Sequence, residues 1–277
     1  MKTNTKIFGL LVCAVLCAGL LIFNGCSSSN GPEFTLPVTV SAKIAVPDQS
    51  QVDYATLTVL LEDNVLYADT LELLLGRVET VIEIPPGRNI EFILNAYTAD
   101  NVLIYSGSDV ADVGLGEDIE VVIDMVPQVL MLKVDPLYLE YHTLSAGEQY
   151  FDIYVYNASD LFGASFRINY LTNVIAPTRV EFNSGNITNF LGSEVLAFSK
   201  ISDGYIAMSV VKLRGQTPVS GSGPLARVYF NLLSEGSTGL QFDTETASLV
   251  DENENPIANT STMVLEDGYL TVALPIP

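Results

Sequence analysis

Beyond residue 33 the chain never sustains apolar residues at helical spacing; short runs rich in Val, Ile, Leu, Tyr, Phe and Thr recur instead between turn residues. Strands this short bury one face by pairing into sheets and stacking the sheets, so the pattern predicts an all-β chain of two β-sandwich domains in series. The first set of runs, within residues 34–127, is Val38 to Ile44, Ala55 to Leu61, Val65 to Leu73, Val78 to Ile84, Ile90 to Tyr97, Val102 to Tyr105 and Ile119 to Met125. Glu62-Asp63-Asn64, Pro85-Pro86-Gly87-Arg88 and Asp100-Asn101 supply turns between them. Pro127 and Pro136 bracket the start of a second set within residues 128–277: Val129 to Val134, Gln149 to Tyr156, Gly163 to Tyr170, Arg179 to Phe182, Tyr205 to Val211, Ala226 to Leu233 and Tyr269 to Ala273.

The first 33 residues have a different grammar. Lys2 and Lys6 precede an apolar run from Ile7 to Phe23, and the chain turns polar at Asn24-Gly25-Cys26-Ser27-Ser28-Ser29. A charged start followed by an apolar stretch is the layout of an export signal. Residues 1–25 resemble a bacterial lipoprotein signal peptide, with Gly25 as the small residue before the cysteine; Phe23 and Asn24 depart from the usual pattern. The resemblance implies lipidation at Cys26, a polar tether over residues 26–33 and an exported, membrane-anchored lipoprotein at the cell surface. The alternative is an uncleaved anchor, for which the run is at the lower limit of length.

Composition excludes several chemistries. With 33 acidic against 12 basic residues and a net charge of -21, the chain lacks the clustered cations that nucleic acid requires. All three cysteines, Cys13, Cys17 and Cys26, precede the body of the protein, which therefore holds no disulfide, thiolate zinc site or cysteine nucleophile. His142 is the only histidine, so no multi-histidine metal site can form within one chain. Asp251-x-Asn253-x-Asn255 starts like a calcium loop but has Pro256 at the place of the turn glycine and Thr262 at the place of the bidentate Glu, and reads better as a hairpin turn. Gly221-Ser222-Gly223 lacks the lysine of a phosphate loop, and no motif marks the spaced carboxylate pair of a glycosidase. The expectation is a non-enzymatic protein with no cofactor and no metal.

The order of landmarks from Val129 to Val272 resembles a cohesin domain, the receptor module that holds dockerin-bearing proteins in polysaccharide-degrading assemblies. The landmarks are Leu144-Ser145-Ala146-Gly147-Glu148 leading into Phe151 to Asn157; Leu161-Phe162-Gly163-Ala164-Ser165-Phe166-Arg167-Ile168-Asn169-Tyr170; Ser202 to Ser209; Val219 to Phe230; Leu249 to Ile257; and Asp267-Gly268-Tyr269-Leu270-Thr271-Val272. Leu171-Thr172 stands where the family usually has Asp-Pro. The resemblance implies a jelly-roll-like sandwich whose partner docks on an exposed sheet face. The first domain looks like a generic immunoglobulin- or transthyretin-like sandwich.

Strand alternation gives that face residues. Ala164, Phe166, Ile168 and Tyr170 share one side and Gly163, Ser165, Arg167 and Asn169 the other, which is expected to face out. By resemblance, Gly163 and Ser165 occupy the places where well-known members carry Asn and Asp. In the strand from Tyr205 the sequence leaves two parities open, placing either Ala207 or Met208 on the face, with Leu213 near its end. The partner implied is a dockerin-bearing protein with calcium on the partner's side. Polysaccharide binding through a tyrosine stripe at Tyr150, Tyr154 and Tyr156 remains open, although such stripes are more often core or a cross-strand ladder. A structural or adhesive surface protein with sandwich spacers is the other alternative.

Overall fold

Alternation of buried and exposed side chains along nearly every strand organises the protein into sandwiches, because a period of two gives each strand one apolar edge to hide. The computed structural model describes residues 35–43, 52–73, 77–114, 119–144, 147–257 and 263–274, and among these every regular element is a strand. The export signal, Cys26, the tether, Ser145-Ala146 and Thr262 lie outside the described residues.

In the N-terminal half the strands are β1 (Leu36–Lys43), β2 (Tyr54–Leu61), β3 (Asn64–Glu72), β4 (Arg77–Ile84), β5 (Gly87–Tyr97), β6 (Leu103–Val113), β7 (Ile119–Val122) and β8 (Val126–Pro127). They form sheets in the order β4-β1-β7 and β3-β2-β5-β6-β8, with β1 antiparallel to β4 and parallel to β7. Val38, Val40, Ile82 and Ile84 from one sheet meet Leu57, Val59, Phe92 and Leu94 from the other in a single core. β6 runs well past the expected end at Tyr105, through Ser106-Gly107-Ser108. Gly107 makes this possible, since a Cβ there would stand 2.3 Å from the Asp124 carbonyl oxygen.

The C-terminal half contains β9 (Met131–Asp135), β10 (Tyr138–Tyr141), β11 (Gln149–Leu161), β12 (Gly163–Asn169), β13 (Ile175–Glu181), β14 (Val195–Ser202), β15 (Tyr205–Lys212), β16 (Val219–Leu232), β17 (Gly236–Phe242), β18 (Ser248–Val250), β19 (Val264–Glu266) and β20 (Gly268–Val272). A seven-stranded sheet runs β10-β20-β17-β12-β15-β14 with β18 also paired to β12; a five-stranded sheet runs β13-β16-β11-β9-β19. Phe151 and Phe230 from the smaller sheet pack at 5.8 Å between ring centroids, and Phe166 meets Phe242 edge-on at 6.1 Å within the larger. Five strands of this half, β10, β14, β17, β18 and β19, are absent from the strand list read off the sequence.

The two halves share a seam. Met131 of β9 and Val264 of β19 belong to the core of the first sandwich, and the buried Tyr105 hydroxyl donates to Met131 Sδ at 3.4 Å. Lys133 Nζ lies 5.7 Å from the centre of the Tyr105 ring and 5.8 Å from that of Tyr156. Desolvation pulls the Lys133 ammonium below its usual range, against the raising influence of Asp135 and Glu266. Burial pushes the Tyr156 phenol up to about 12, with Asp135 and Tyr154 adding to it. Asn157, at a φ of 53°, turns its side-chain amide onto the linker and donates to the carbonyls of Pro127 at 2.8 Å and Val129 at 3.1 Å.

Replacing Asn157 by Ala removes both bonds and places an unsuited side chain at positive φ, so the unfolding free energy should fall by about 1–3 kcal/mol in urea titration. A second outcome concerns Asp267, which accepts the Phe242 amide at 2.8 Å. Burial lifts its carboxyl from the ordinary 3.8 to about 6, against the opposing effect of that hydrogen bond. The folded state therefore binds the proton more tightly than the unfolded chain. This group's contribution should improve as pH falls from neutral through about 6 and level off near the ordinary carboxylate value. Asp267→Asn should raise stability at neutral pH and flatten that part of the profile, measured by denaturation at both ends of the window.

Candidate functional site

Three adjacent strands of the larger sheet, β14, β15 and β12, present an outer face whose rows are set by register. Leu196, Val211 and Gly163 form one row, Phe198, Ser209 and Ser165 the next, Lys200, Ala207 and Arg167 the third, and Ser202, Tyr205 and Asn169 the last. Ile206, Met208 and Val210 point the other way into the core. This resolves the parity of β15: Ala207 is outward, whereas Met208 is 2 % exposed and is not a face residue. The cause is the antiparallel pairing of Met208 with Phe166, since directly opposed residues share a side. Gly163 is also unavailable to a partner. A Cβ added there would lie 3.1 Å from Val250 Cγ2 and 3.2 Å from Val211 Cγ2, so those valines cover it.

The remaining expected residues come together. Ser165 is exposed. Arg167 stacks 4.0 Å above the Tyr205 ring, donates from Nε to Asn169 Oδ1 at 3.1 Å and lies 3.6 Å from Asp243. A hydrogen bond with Ser202, then the charges of Lys200 and Arg167, hold the Tyr205 phenol below its usual range. Leu213 is exposed just past β15, its amide bonded to the Glu194 carbonyl at 3.2 Å.

Sequence reasoning missed the most prominent residues of this face. Leu196 and Phe198 are 66 % and 63 % exposed on β14, beside Val211 and Leu213. Their signal was the alternation Leu196-x-Phe198-x-Lys200 with small Ala197 and Ser199 between. Contiguous exposed apolar side chains are a feature of interaction surfaces. The bases Arg167 and Lys200 flank them in a chain that is otherwise strongly acidic.

The opposite outer face, on β13, β16, β11 and β9, is closed upon itself. Arg227 makes a two-pronged contact with Asp152, 2.7 Å in each prong, and stacks 3.8 Å over the Tyr150 ring. Arg179 bonds Glu148 and Glu181 and lies 3.5 Å over Tyr229. Tyr154 stacks on Tyr156 at 5.9 Å. The tyrosine stripe thus has its rings engaged, Tyr150 by Arg227 and by Tyr229 on the neighbouring strand, and Tyr154 and Tyr156 by each other along β11.

The remaining candidates are local. Asp251 Oδ1 accepts the amides of Asn253 and Asn255 at 2.8 and 2.9 Å, and Oδ2 accepts from the Asn255 side chain, so its oxygens organise a turn. His142 is exposed, with Glu140 at 3.7 Å and the Ala273 carbonyl at 3.2 Å. Among the described residues no group of three or more His, Cys, Asp or Glu is placed to hold a metal ion, and no helix is long and apolar enough to cross a membrane.

The landmarks that resembled cohesins in sequence fall on β9 to β20, around the face just described. Solved structures similar to this chain include a non-cellulosomal cohesin from the hyperthermophilic archaeon Archaeoglobus fulgidus, at 14 % identity and a TM-score of 0.39, covering 52 % of this chain and 90 % of that one. Another is a type I cohesin–dockerin complex of OlpA from Clostridium thermocellum, at 12 % identity and a TM-score of 0.40, covering 52 % and 99 %. A third is the seventh ScaB type I cohesin of Pseudobacteroides cellulosolvens, at 18 % identity and a TM-score of 0.40, covering 53 % and 94 %. No family model matches the chain. No curated protein matches it either.

Removing the carboxylate of the ladder in Asp152→Ala leaves Arg227 partly buried without its partner. The expected loss is about 3–5 kcal/mol of unfolding free energy in denaturant titration.

Proposed function

We propose that this chain is a non-catalytic, membrane-anchored binding protein whose cohesin-like domain captures a dockerin-type module on the β14, β15 and β12 face, in the context of polysaccharide breakdown. One observation carries the reading: Leu196 and Phe198 stand exposed on an ordered sheet face, with Arg167 and Lys200 beside them. Partners of such surfaces place apolar anchors against the large side chains and polar groups around the rim. Dockerin as the partner rests on the cohesin resemblance, as does calcium on the partner's side. The closed arginine and tyrosine ladder weighs against direct sugar binding. Export and lipidation at Cys26 rest on the signal-like N-terminus.

Capture by the full chain from secreted protein should yield a partner bearing paired calcium loops, retained with calcium and lost with a chelator. Ala207→Lys, at the centre of the face beside two bases, and Phe198→Ala should each weaken that capture by about thirtyfold or more, roughly 2 kcal/mol. Unchanged capture by both variants would overturn the sheet-face reading. For the anchor, Cys26→Ser should abolish labelling by a fatty-acid precursor; a labelled variant would refute lipidation there.

A further inference from the structure

We propose that the free edge of β14 pairs with β14 of a second copy of this chain, joining the two seven-stranded sheets across a twofold axis centred on Phe198. Among the described residues β14 ends its sheet, with no strand on its far side. Its inward side chains show the same incompleteness: Val195, Ala197 and Ser199 are only half-buried and Ile201 is exposed, whereas Ile206, Met208 and Val210 on neighbouring β15 are buried. The strand contains no proline and no glycine, and of the devices by which edges are normally kept apart it carries one, the single charge of Lys200.

The sequence of β14 is complementary to itself when antiparallel. Opposed residues in such a pair lie on the same side, and a centre at Phe198 sets Phe198 against Phe198 of the second copy as an aromatic cross-strand pair. Leu196 then faces Lys200 of the other copy, and Lys200 faces Leu196, so the lone charge avoids its own image. On the inner side Val195 meets Ile201 and Ala197 meets Ser199, which completes the half-covered end of each core. Glu194, immediately before the strand, becomes the diagonal neighbour of the second copy's Lys200, giving two ion pairs of opposite sign by symmetry. Asp203, the other nearby acid, falls opposite Ser193 of the second copy. No other register pairs Phe198 with itself.

The pairing concerns the backbone edge of β14, whereas capture of a dockerin-type partner is read at Ala207 and Phe198 on the outer face, so the trap and the capture assay report separately. The test is a disulfide trap in the full chain with Cys13→Ser, Cys17→Ser and Cys26→Ser. Phe198→Cys puts the two sulfurs opposite each other, at the roughly 4.5–5.5 Å Cα separation of an antiparallel pair and within disulfide reach. Leu196→Cys, at an equally exposed site on the same side of the strand, stands four residues out of register, roughly 13 Å away, beyond reach. Covalent dimer should form at least about tenfold faster through position 198 than through 196. Lys200→Glu should slow the trap, and Lys200→Glu combined with Glu194→Lys should restore it. Equal rates at 198 and 196, or a trap indifferent to the charge reversal, would overturn the pairing whatever the outcome of partner capture.

Discussion

The pairing of Met208 with Phe166 decides what the second sandwich offers to solution. Both side chains are buried, and the opposed residues of an antiparallel ladder share a side, so hiding this pair commits β12 and β15 together. Slipping either strand by one residue would bring Phe166 or Met208 to the surface and drive Arg167 or Ala207 inward. The outward rows then follow, and β14 inherits the same phase through its ladder with β15. The exposure of Leu196 and Phe198 is therefore a product of core packing two strands away.

Much of this was legible beforehand where a strand carried a one-sided pattern. β12 reads unambiguously, because Phe166 and Ile168 alternate with Ser165 and Arg167. β15 does not: Ile206-Met208-Val210 and Ala207-Val211 are both apolar sets, and only the partner strand separates them. β14 escaped notice because its two largest apolar residues, Leu196 and Phe198, are exposed, reversing the usual rule. β17 was hidden by Gly236 and Gly239, and β6 looked finished at Ser106-Gly107 because a glycine that accommodates a close backbone approach resembles one that turns a chain. Gly163 failed as a site residue for a related reason, since alternation gives its side but not the valines that cover it.

The two outer faces of the second sandwich solve the same exposure problem in opposite ways. On the smaller sheet each arginine meets carboxylates and an aromatic ring within the same few rows, so polar and apolar demands are satisfied internally. On the larger sheet Arg167 is engaged, but the neighbouring strand leaves large hydrocarbon surface in water. Tyrosine count alone would have pointed to the first face, whereas contact geometry points to the second.

The Asn157 clamp and the Tyr105–Met131 contact turn the junction between sandwiches into a mechanical element. A tug on the β14, β15 and β12 face reaches the linker at Pro127 and Val129 through β11, which carries Asn157, rather than through a slack hinge. From there it passes into the first core by way of Met131 and Val264. Tension delivered at Leu36 would run along β1, whose ladders to β4 and β7 are loaded in shear, so that many hydrogen bonds resist together instead of parting one at a time.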